Sequence, residues 1–191
     1  MQRTEDTVLV EAVLAGDREC YARLVDRYKN QMYNLAYRMT WNSEVARDLS
    51  QETFVRAYAN LHRYRPEKSF FNWLYTICIN LTRHHLEKKR ELLSEDGNAP
   101  DTWADTDPSA EQRSPESQMI QRQAASGLET ALSALPEDLR EAVVLRYLQE
   151  LPFEAVAETL GVGLSAAKMR VYRGLERLRA SLAGQGDVDE I

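Results

Sequence analysis

The 191-residue sequence is poor in cysteine, glycine and proline, and each shortage excludes a class of protein. Its two cysteines, Cys20 and Cys78, have no CxxC spacing, which excludes a zinc ribbon or a dense disulfide scaffold and fits a reducing compartment. With 8 glycines and 6 prolines, the chain suits helices better than a turn-rich β-sandwich. No apolar run reaches the roughly 18 residues of a membrane span, and residues 1–10 lack the apolar segment of a signal peptide. We therefore expect a cytoplasmic protein.

Motifs of common enzyme classes are also missing. The three histidines, His62, His84 and His85, form neither HxxxH nor HExxH spacing. The sequence contains no GxxxxGK[ST], GxSxG or GxGxxG. We expect no catalytic residues, no metal site and no cofactor.

Charge is strongly segregated along the chain, although the net charge is only -6. Residues 91–118 carry eight acids against one base, residues 54–90 eight bases against two acids, and residues 168–179 five bases against one acid. Two basic patches separated by an acidic spacer indicate two contacts with one polyanion. Charge runs are also typical of solvated faces, and charge alone leaves both interpretations open.

Helical periodicity dominates both ends of the chain. Asp17, Ser43 and Ser69 are predicted to begin three long helices of the first half, and Pro66 interrupts the pattern before the third. No alternating strand pattern is present. The sequence predicts an all-α protein with two small helical domains, at 1–91 and 118–183. A flexible acidic linker (92–117) would join them, and an acidic tail (184–191) would follow.

The linker assignment rests on composition, since the stretch has almost no apolar residues with which to offset its ordering entropy. Its one exception is Trp103. This side chain either docks on a domain or a partner or is simply exposed.

A helix-turn-helix is predicted near the C-terminus. A short amphipathic helix over 152–160 precedes Gly161, which can adopt the left-handed turn, and Ser165 is a plausible N-cap for the next helix. That second helix has Ala167 and Val171 inward and an outer face that would enter a major groove. The outer residues are Ser165, Lys168, Met169 and Tyr172 at base edges, with Arg170 and Arg173 at bases or phosphates. The alternative is an ordinary helical hairpin with a solvated basic face.

Aromatic residues interleave with lysines and arginines between residues 54 and 90. This pattern suits single-stranded nucleic acid, because aromatic rings stack on nucleobases while cationic side chains bind the phosphate backbone. Many of these rings could equally belong to a core. We favour core or mixed roles for Phe54 and Trp73. The pattern does not separate the two roles for Tyr58, Tyr64, Phe70 and Phe71.

Two sets of strings resemble a known family. Residues 48–54 (DLSQETF) and 71–77 (FNWLYTI), with Tyr58, Leu61, Tyr64 and Asn80, resemble region two of the extracytoplasmic-function (ECF, group IV) sigma factors of bacteria. Residues 135–140 (LPEDLR), Tyr147 and residues 152–179 resemble region four of that family. The resemblance covers nearly the whole chain and implies a promoter-specificity subunit of RNA polymerase.

The resemblance also implies site residues and partners. The residues that match the segment docking on core RNA polymerase are Asp48, Leu49, Gln51, Glu52 and Phe54. Those that match the segment melting and recognising the −10 element are Tyr58, Arg63, Tyr64, Arg65, Lys68, Phe70, Phe71, Trp73, Tyr75, Asn80, Arg83, His84 and Lys88. Those that match the reader of the −35 element are Ser165, Ala166, Lys168, Met169, Arg170, Tyr172, Arg173 and Arg177. Core polymerase, promoter DNA and a cognate anti-sigma factor are the implied partners.

One departure and one alternative accompany the resemblance. Ala166 and Met169 stand where many members have Thr and Ser, so the base preference at the upstream element can differ. The competing hypothesis is a stand-alone helix-turn-helix regulator, which accounts for the second half but leaves the DLSQETF string without a role.

Overall fold

The computed structural model describes residues 2–96 and 127–186, with side chains for 5–92 and 127–183, and all regular structure in these ranges is helical. The first range contains α1 (Gln2–Leu14), α2 (Glu19–Thr40), α3 (Ser43–Ala59), a 3₁₀ turn (Leu61–Arg63) and α4 (Phe70–Asp96). The second contains α5 (127–133), α6 (Glu137–Val143), a π-helical turn (Val144–Leu148), α7 (Phe153–Leu160) and α8 (Leu164–Gly186). The predicted all-α fold is confirmed.

A side-chain cap sets the beginning of α3, whereas α2 has Arg18 at its N-cap without a side-chain hydrogen bond. Asp17, the predicted cap of α2, lies one residue earlier, and its carboxylate accepts the backbone N–H of Glu19 at 3.0 Å. At α3 the prediction of Ser43 was wrong by one residue, because Asn42 is extended and its side chain accepts the Val45 N–H at 2.9 Å. Both residue types can cap, and only the phase of the helix decides between them.

The ends of two helices extend beyond the expected domain limits. α4 continues to Asp96 and α8 to Gly186, into the segments predicted as linker and tail. Leu92, Leu93 and Glu95 are good helix formers, which favours the continuation of α4. The remainder of the predicted linker, with Trp103, and the residues after 186 lie outside the described residues.

α1 was not predicted, and a buried polar contact anchors it. Asp6 is 3% exposed and accepts hydrogen bonds from Arg27 Nη1 and Tyr28 Oη, each at 2.5 Å. Leu9 and Val10 pack beside this contact in the core. Pairing compensates the burial of the Asp6 charge, so the helix is fixed by tertiary contacts with α2.

α2 is the central helix of the first half. Tyr28, Met32 and Leu35 are almost completely buried, and α2 packs against α1, α3 and α4. Cys78 of α4 lies in this core, and burial raises the pKa of its thiol to about 11. Within residues 2–96 and 127–186, none of the helices combines the length and apolar character needed to cross a membrane.

The two halves pack against each other. Leu145 and Val156 of the second half belong to the same buried cluster as the core of the first half. In a second cluster, Trp41 from the end of α2 packs with Leu132 and Val143. The described residues therefore form a closed arrangement in which α2 and α4 face α6, the π-helical turn and α7.

Gly174 sets the close approach of α8 to α6. A Cβ at this position would lie 2.5 Å from Val143 Cγ2 and 3.3 Å from the Leu139 carbonyl oxygen. Val143 is buried and β-branched, so its methyl group has little room to move.

We expect Gly174→Ala to destabilise the protein by about 1–3 kcal/mol through overpacking, although alanine in an open helix position would stabilise it by up to about 1 kcal/mol. Thermal unfolding followed by circular dichroism measures the change. Gly163→Ala is the control, since a Cβ there meets nothing within 4 Å. A melting temperature of Gly174→Ala at or above that of the parent protein would contradict the close-packing argument.

Candidate nucleic-acid interfaces

α7 and α8 form a helix-turn-helix with a left-handed turn between them. Gly161 has φ 67° and ψ 31°, a conformation that favours glycine, which confirms its predicted role. α8 begins at Leu164, because the Gly163 carbonyl accepts the Ala167 N–H at 3.0 Å. Ser165 therefore lies inside the first turn of α8 and is not the N-cap that was predicted.

Small and apolar residues join the two helices of this motif. Val156 and Ala157 of α7 and Ala167 and Val171 of α8 are all buried. The small side chain of Ala157 allows the helices to approach closely. The inner face of α8 is thus used for packing, and its opposite face is left for solvent or a ligand.

The outer face of α8 combines cations with large apolar side chains. Met169 is 52% and Tyr172 57% exposed. Phe153 of α7 supports this face, with its ring centroid 6.1 Å from that of Tyr172 and 5.7 Å from Lys168 Nζ. Phe153 was not singled out from sequence, although its place in the first turn of α7 was visible. The exposed residues of the face are Ser165, Ala166, Lys168, Met169, Tyr172, Arg173 and Arg177.

Arg170 differs from the other predicted residues of α8. Its side chain is 30% exposed, and its Nε lies 3.8 Å from Asp138 Oδ2 of α6. The expectation that Arg170 points outward like Lys168 and Arg173 is therefore corrected. Its guanidinium is directed towards Asp138 at the start of α6.

Three of the aromatic side chains predicted for the −10 surface lie in the core. Phe70 is 1%, Tyr75 0% and Tyr64 7% exposed. Tyr64, Phe70 and Trp73 form a cluster with ring centroids 5.5–5.7 Å apart. Phe71 and Trp73 are half-buried and keep part of their surface accessible. In this arrangement Tyr64 and Phe70 lie beneath the surface and support it rather than forming it.

Cations and polar groups lie on the surface around this aromatic cluster. Lys68 pairs with Glu158 of α7, and Arg83 pairs with Glu141 of α6. Burial, with Lys89 and Lys88 nearby, lowers the pKa of His85. The predicted cationic and polar residues that are exposed are Arg63, Arg65, Lys68, Asn80, His84 and Lys88.

α3 presents a polar outer face. Asp48 and Gln51 are exposed, and Glu52 accepts a hydrogen bond from Arg56 Nε at 2.7 Å one turn on. Val55 is 62% exposed between these polar groups. Val55 lies one helical turn after Gln51 and was not singled out from sequence.

The inner face of α3 holds the other two residues of the DLSQETF string that were singled out. Leu49 is 9% and Phe54 7% exposed, so both pack inside the first half. Tyr21 donates a hydrogen bond to the Phe54 carbonyl at 2.5 Å, and its ring lies 4.8 Å from that of Tyr58. Tyr58 itself is 43% exposed. Leu49 and Phe54 would therefore support a docking face rather than touch a partner.

Within residues 2–96 and 127–186, no group of three or more His, Cys, Asp or Glu side chains is arranged to hold a metal ion. The predicted functional residues instead form a polar helix face, a basic surface over an aromatic cluster, and a helix-turn-helix.

Both halves of the chain match known protein families. Residues 24–92 match Sigma-70 region 2, and residues 126–178 match Sigma-70, region 4. The chain is 33% identical to the ECF RNA polymerase sigma factor SigW of Bacillus subtilis (strain 168), over 91% of this chain and 94% of that one. The chain belongs to the ECF RNA polymerase sigma factors. It is thus an alternative sigma factor, a transcription initiation factor with a region 2 and a region 4.

Two further similarities agree with this assignment. The sigma factor is 30% identical to the ECF RNA polymerase sigma-E factor of Escherichia coli (strain K12), over 93% of this chain and 94% of that one. Its fold resembles that of the sigma factor RpoE of Bartonella quintana, solved with the anti-sigma factor NepR. The TM-score is 0.71 at 23% identity, over 89% of this chain and 98% of that one.

Region 4 of the sigma factor covers part of the predicted −10 surface of region 2. Arg83 Nε and Nη2 donate to the two carboxylate oxygens of Glu141 at 2.7 and 2.5 Å. Tyr75 Oη lies 2.5 Å from Gln149 Oε1, just after the π-helical turn. Sequence reasoning left open whether the two domains pack together.

Proposed function

We propose that this ECF sigma factor confers promoter specificity on bacterial RNA polymerase by reading two promoter elements with its two domains. α8 would read the upstream −35 element, and region 2 would melt and capture the downstream −10 element. The observation that carries the proposal is the outer face of α8. Beyond the turn at Gly161 it exposes Lys168, Met169, Tyr172 and Arg173 on a helix otherwise committed to packing.

The chemistry of the α8 face suits duplex DNA. Cations contact phosphates, and a helix of this diameter fits the major groove. Met169 and Tyr172 offer apolar surface to thymine methyl groups, and Lys168 offers hydrogen bonds to guanine. With Ala166 and Met169 at positions where many members have Thr and Ser, the upstream preference has to be measured.

The region 2 surface suits melted DNA. Arg63, Arg65, Lys88 and the partly accessible ring of Trp73 combine cations with a stacking surface. Capturing an extruded base costs a few kcal/mol, which stacking in a pocket recovers. The buried Tyr64 and Phe70 would hold this pocket in shape.

The remaining parts of the proposal concern partners and location. The polar face of α3, with Asp48, Gln51 and Glu52, would dock on core RNA polymerase. A cognate anti-sigma factor would hold the sigma factor inactive. In support, a sigma factor of similar fold, RpoE of Bartonella quintana, was solved in complex with the anti-sigma factor NepR. We place the protein in the cytoplasm and assign it no catalytic activity and no cofactor of its own.

Transcription in vitro tests the proposal. Purified sigma factor is combined with bacterial core RNA polymerase and a promoter library, and transcripts are mapped. We expect transcripts from templates that share two elements at a fixed spacing, and none from core alone. Selection of duplex DNA by the free chain without any core-dependent transcription would instead support a stand-alone helix-turn-helix regulator, which the family assignment does not favour.

Replacement of Arg173 should weaken binding of the holoenzyme to the −35 element. If Arg173 contacts a phosphate, the slope of log affinity against log salt falls by about 0.9 in Arg173→Ala. Filter binding over a range of salt measures both quantities. Arg179→Ala, an exposed arginine later in the same helix, is the control. Unchanged affinity and slope in Arg173→Ala would remove Arg173 from the interface.

A further inference from the structure

Two residues of the predicted −10 surface, Arg83 and Tyr75, contact side chains of region 4 that resemble chemical groups of a nucleic acid. The Glu141 carboxylate binds Arg83 through two parallel hydrogen bonds of 2.7 and 2.5 Å, the geometry with which arginine binds phosphate. The Gln149 side-chain oxygen lies 2.5 Å from Tyr75 Oη, where the carbonyl of a base could accept the same hydrogen bond.

The burial of the Glu141 side chain indicates that these contacts belong to a packed interface between the two domains. The Glu141 side chain is only 2% exposed, although it belongs to a different domain from Arg83. Burial raises the pKa of Glu141, and Arg83 offsets part of that rise. The hydrogen bonds to Glu141 raise the pKa of Arg83. A buried carboxylate of this kind is stable only while its partner is present.

The π-helical turn gives Gln149 its position. Val144–Leu148 winds more widely than the rest of the helix, and the Gln149 N–H donates to the Val144 carbonyl at 3.0 Å. Leu145 in the turn is fully buried against the core shared by the two domains. Such turns are rare and are often found at functional positions.

We propose that the surface formed by Glu141 and Gln149 of region 4 mimics the DNA strand and competes with it for Arg83 and Tyr75. The free sigma factor is therefore closed, and its −10 surface becomes available only when the domains separate. Arg83 serves both states: it binds Glu141 in the closed chain and a backbone phosphate in the open one. This inference rests on the proposed function of region 2.

Two measurements on the full chain test the competition. Fluorescence anisotropy with a short labelled oligodeoxythymidine measures single-strand binding by the free sigma factor. Small-angle scattering measures its radius of gyration. The key variant is Glu141→Gln, which removes the charge and keeps the shape of the side chain.

We expect Glu141→Gln to increase the radius of gyration and to tighten oligonucleotide binding about tenfold, because the binding-competent fraction rises. The matched control is Glu137→Gln on the same helix. Its partner Arg90, 2.8 Å away, is 70% exposed, and exposed pairs contribute little. We expect less than about a twofold change there. Unchanged affinity and size in Glu141→Gln overturn the proposal.

The variant Arg83→Gln distinguishes mimicry of DNA by Glu141 from mere steric covering of the −10 surface by region 4. This variant breaks the same contact, so its radius of gyration should rise as in Glu141→Gln. It also removes the phosphate contact, so its oligonucleotide affinity should stay below that of Glu141→Gln. Equal gains in the two variants overturn mimicry by Glu141. Gln149→Ala provides a second opening variant if Glu141→Gln does not fold, as judged by circular dichroism, and must then show the same two changes.

A transcription assay with core polymerase distinguishes failure of this proposal from failure of the proposed function. If the parent protein does not direct transcription with core polymerase, the proposed function fails. If it does, and the opening variants neither expand nor bind the oligonucleotide more tightly, only the competition between region 4 and DNA fails.

Discussion

Reversing the charge of the outer face of α3 should abolish tight binding to core RNA polymerase. In the double variant Asp48→Lys, Glu52→Lys, two cations replace acids beside Gln51 and the exposed Val55. Like charges at a protein interface cost several kcal/mol, so we expect the dissociation constant to rise at least about 100-fold. Fluorescence anisotropy of labelled sigma factor titrated with core polymerase measures it.

The double variant should fold normally, because Asp48 is exposed and the Glu52–Arg56 pair is about half exposed. Such pairs contribute little to stability. The charge-matched control is Glu11→Lys, Asp26→Lys, which places the same charge change on exposed sites of α1 and α2. If the α3 variant binds core as tightly as this control, docking occurs through another face. Phe54→Ala is unsuitable as a test, since the ring is buried and its loss would damage the fold.

Most helices of both domains could be predicted, because the sequence features that determine them are local. The periodicity of α2, the break near Pro66 and the glycine at the α7–α8 turn each lie within a few residues of the feature they determine. The N-cap of α3 was misplaced by one residue because Asn42 and Ser43 are both capable caps. α1 was missed because Asp6 is stabilised by Arg27 and Tyr28, which are distant in sequence.

The candidate sites were predicted as segments but not as surfaces. The family strings locate the segments, yet Leu49 and Phe54 turn inward while Gln51 turns outward on the same helix. The alternation of aromatic and basic residues does not show which aromatic side chains are buried. Tyr75 and Trp73 lie in the same helix, yet Tyr75 is buried and Trp73 is half-buried.

The contact between the domains could not be predicted at all. Arg83 and Glu141 are 58 residues apart, and nothing in the sequence selects this arginine from the other bases of α4. Contacts of this kind depend on how two finished domains pack, which is decided by the shape of both surfaces together.

Phe70 and Trp73 should separate into a structural and a functional role when each is replaced by alanine. Phe70 is 1% exposed, with ring centroids of Tyr28, Tyr64 and Trp73 within 6.0 Å. Phe70→Ala should lower the free energy of unfolding by about 3–5 kcal/mol, because it leaves a cavity. Since domains are stable by only about 5–15 kcal/mol, this loss should reduce closed-complex formation and promoter opening together. Chemical denaturation followed by circular dichroism measures the stability.

Trp73→Ala should remain folded, because the ring is half-buried at the edge of the cluster. Its holoenzyme should form closed complexes normally and fail to open the promoter, which permanganate reactivity of unpaired thymines reports. Phe70→Leu is the control for the cavity, and its loss of stability should be smaller than that of Phe70→Ala. If Phe70→Ala keeps the parent stability, the aromatic cluster is not the support of the −10 surface. If Trp73→Ala opens promoters normally, the accessible ring does not contact the melted strand.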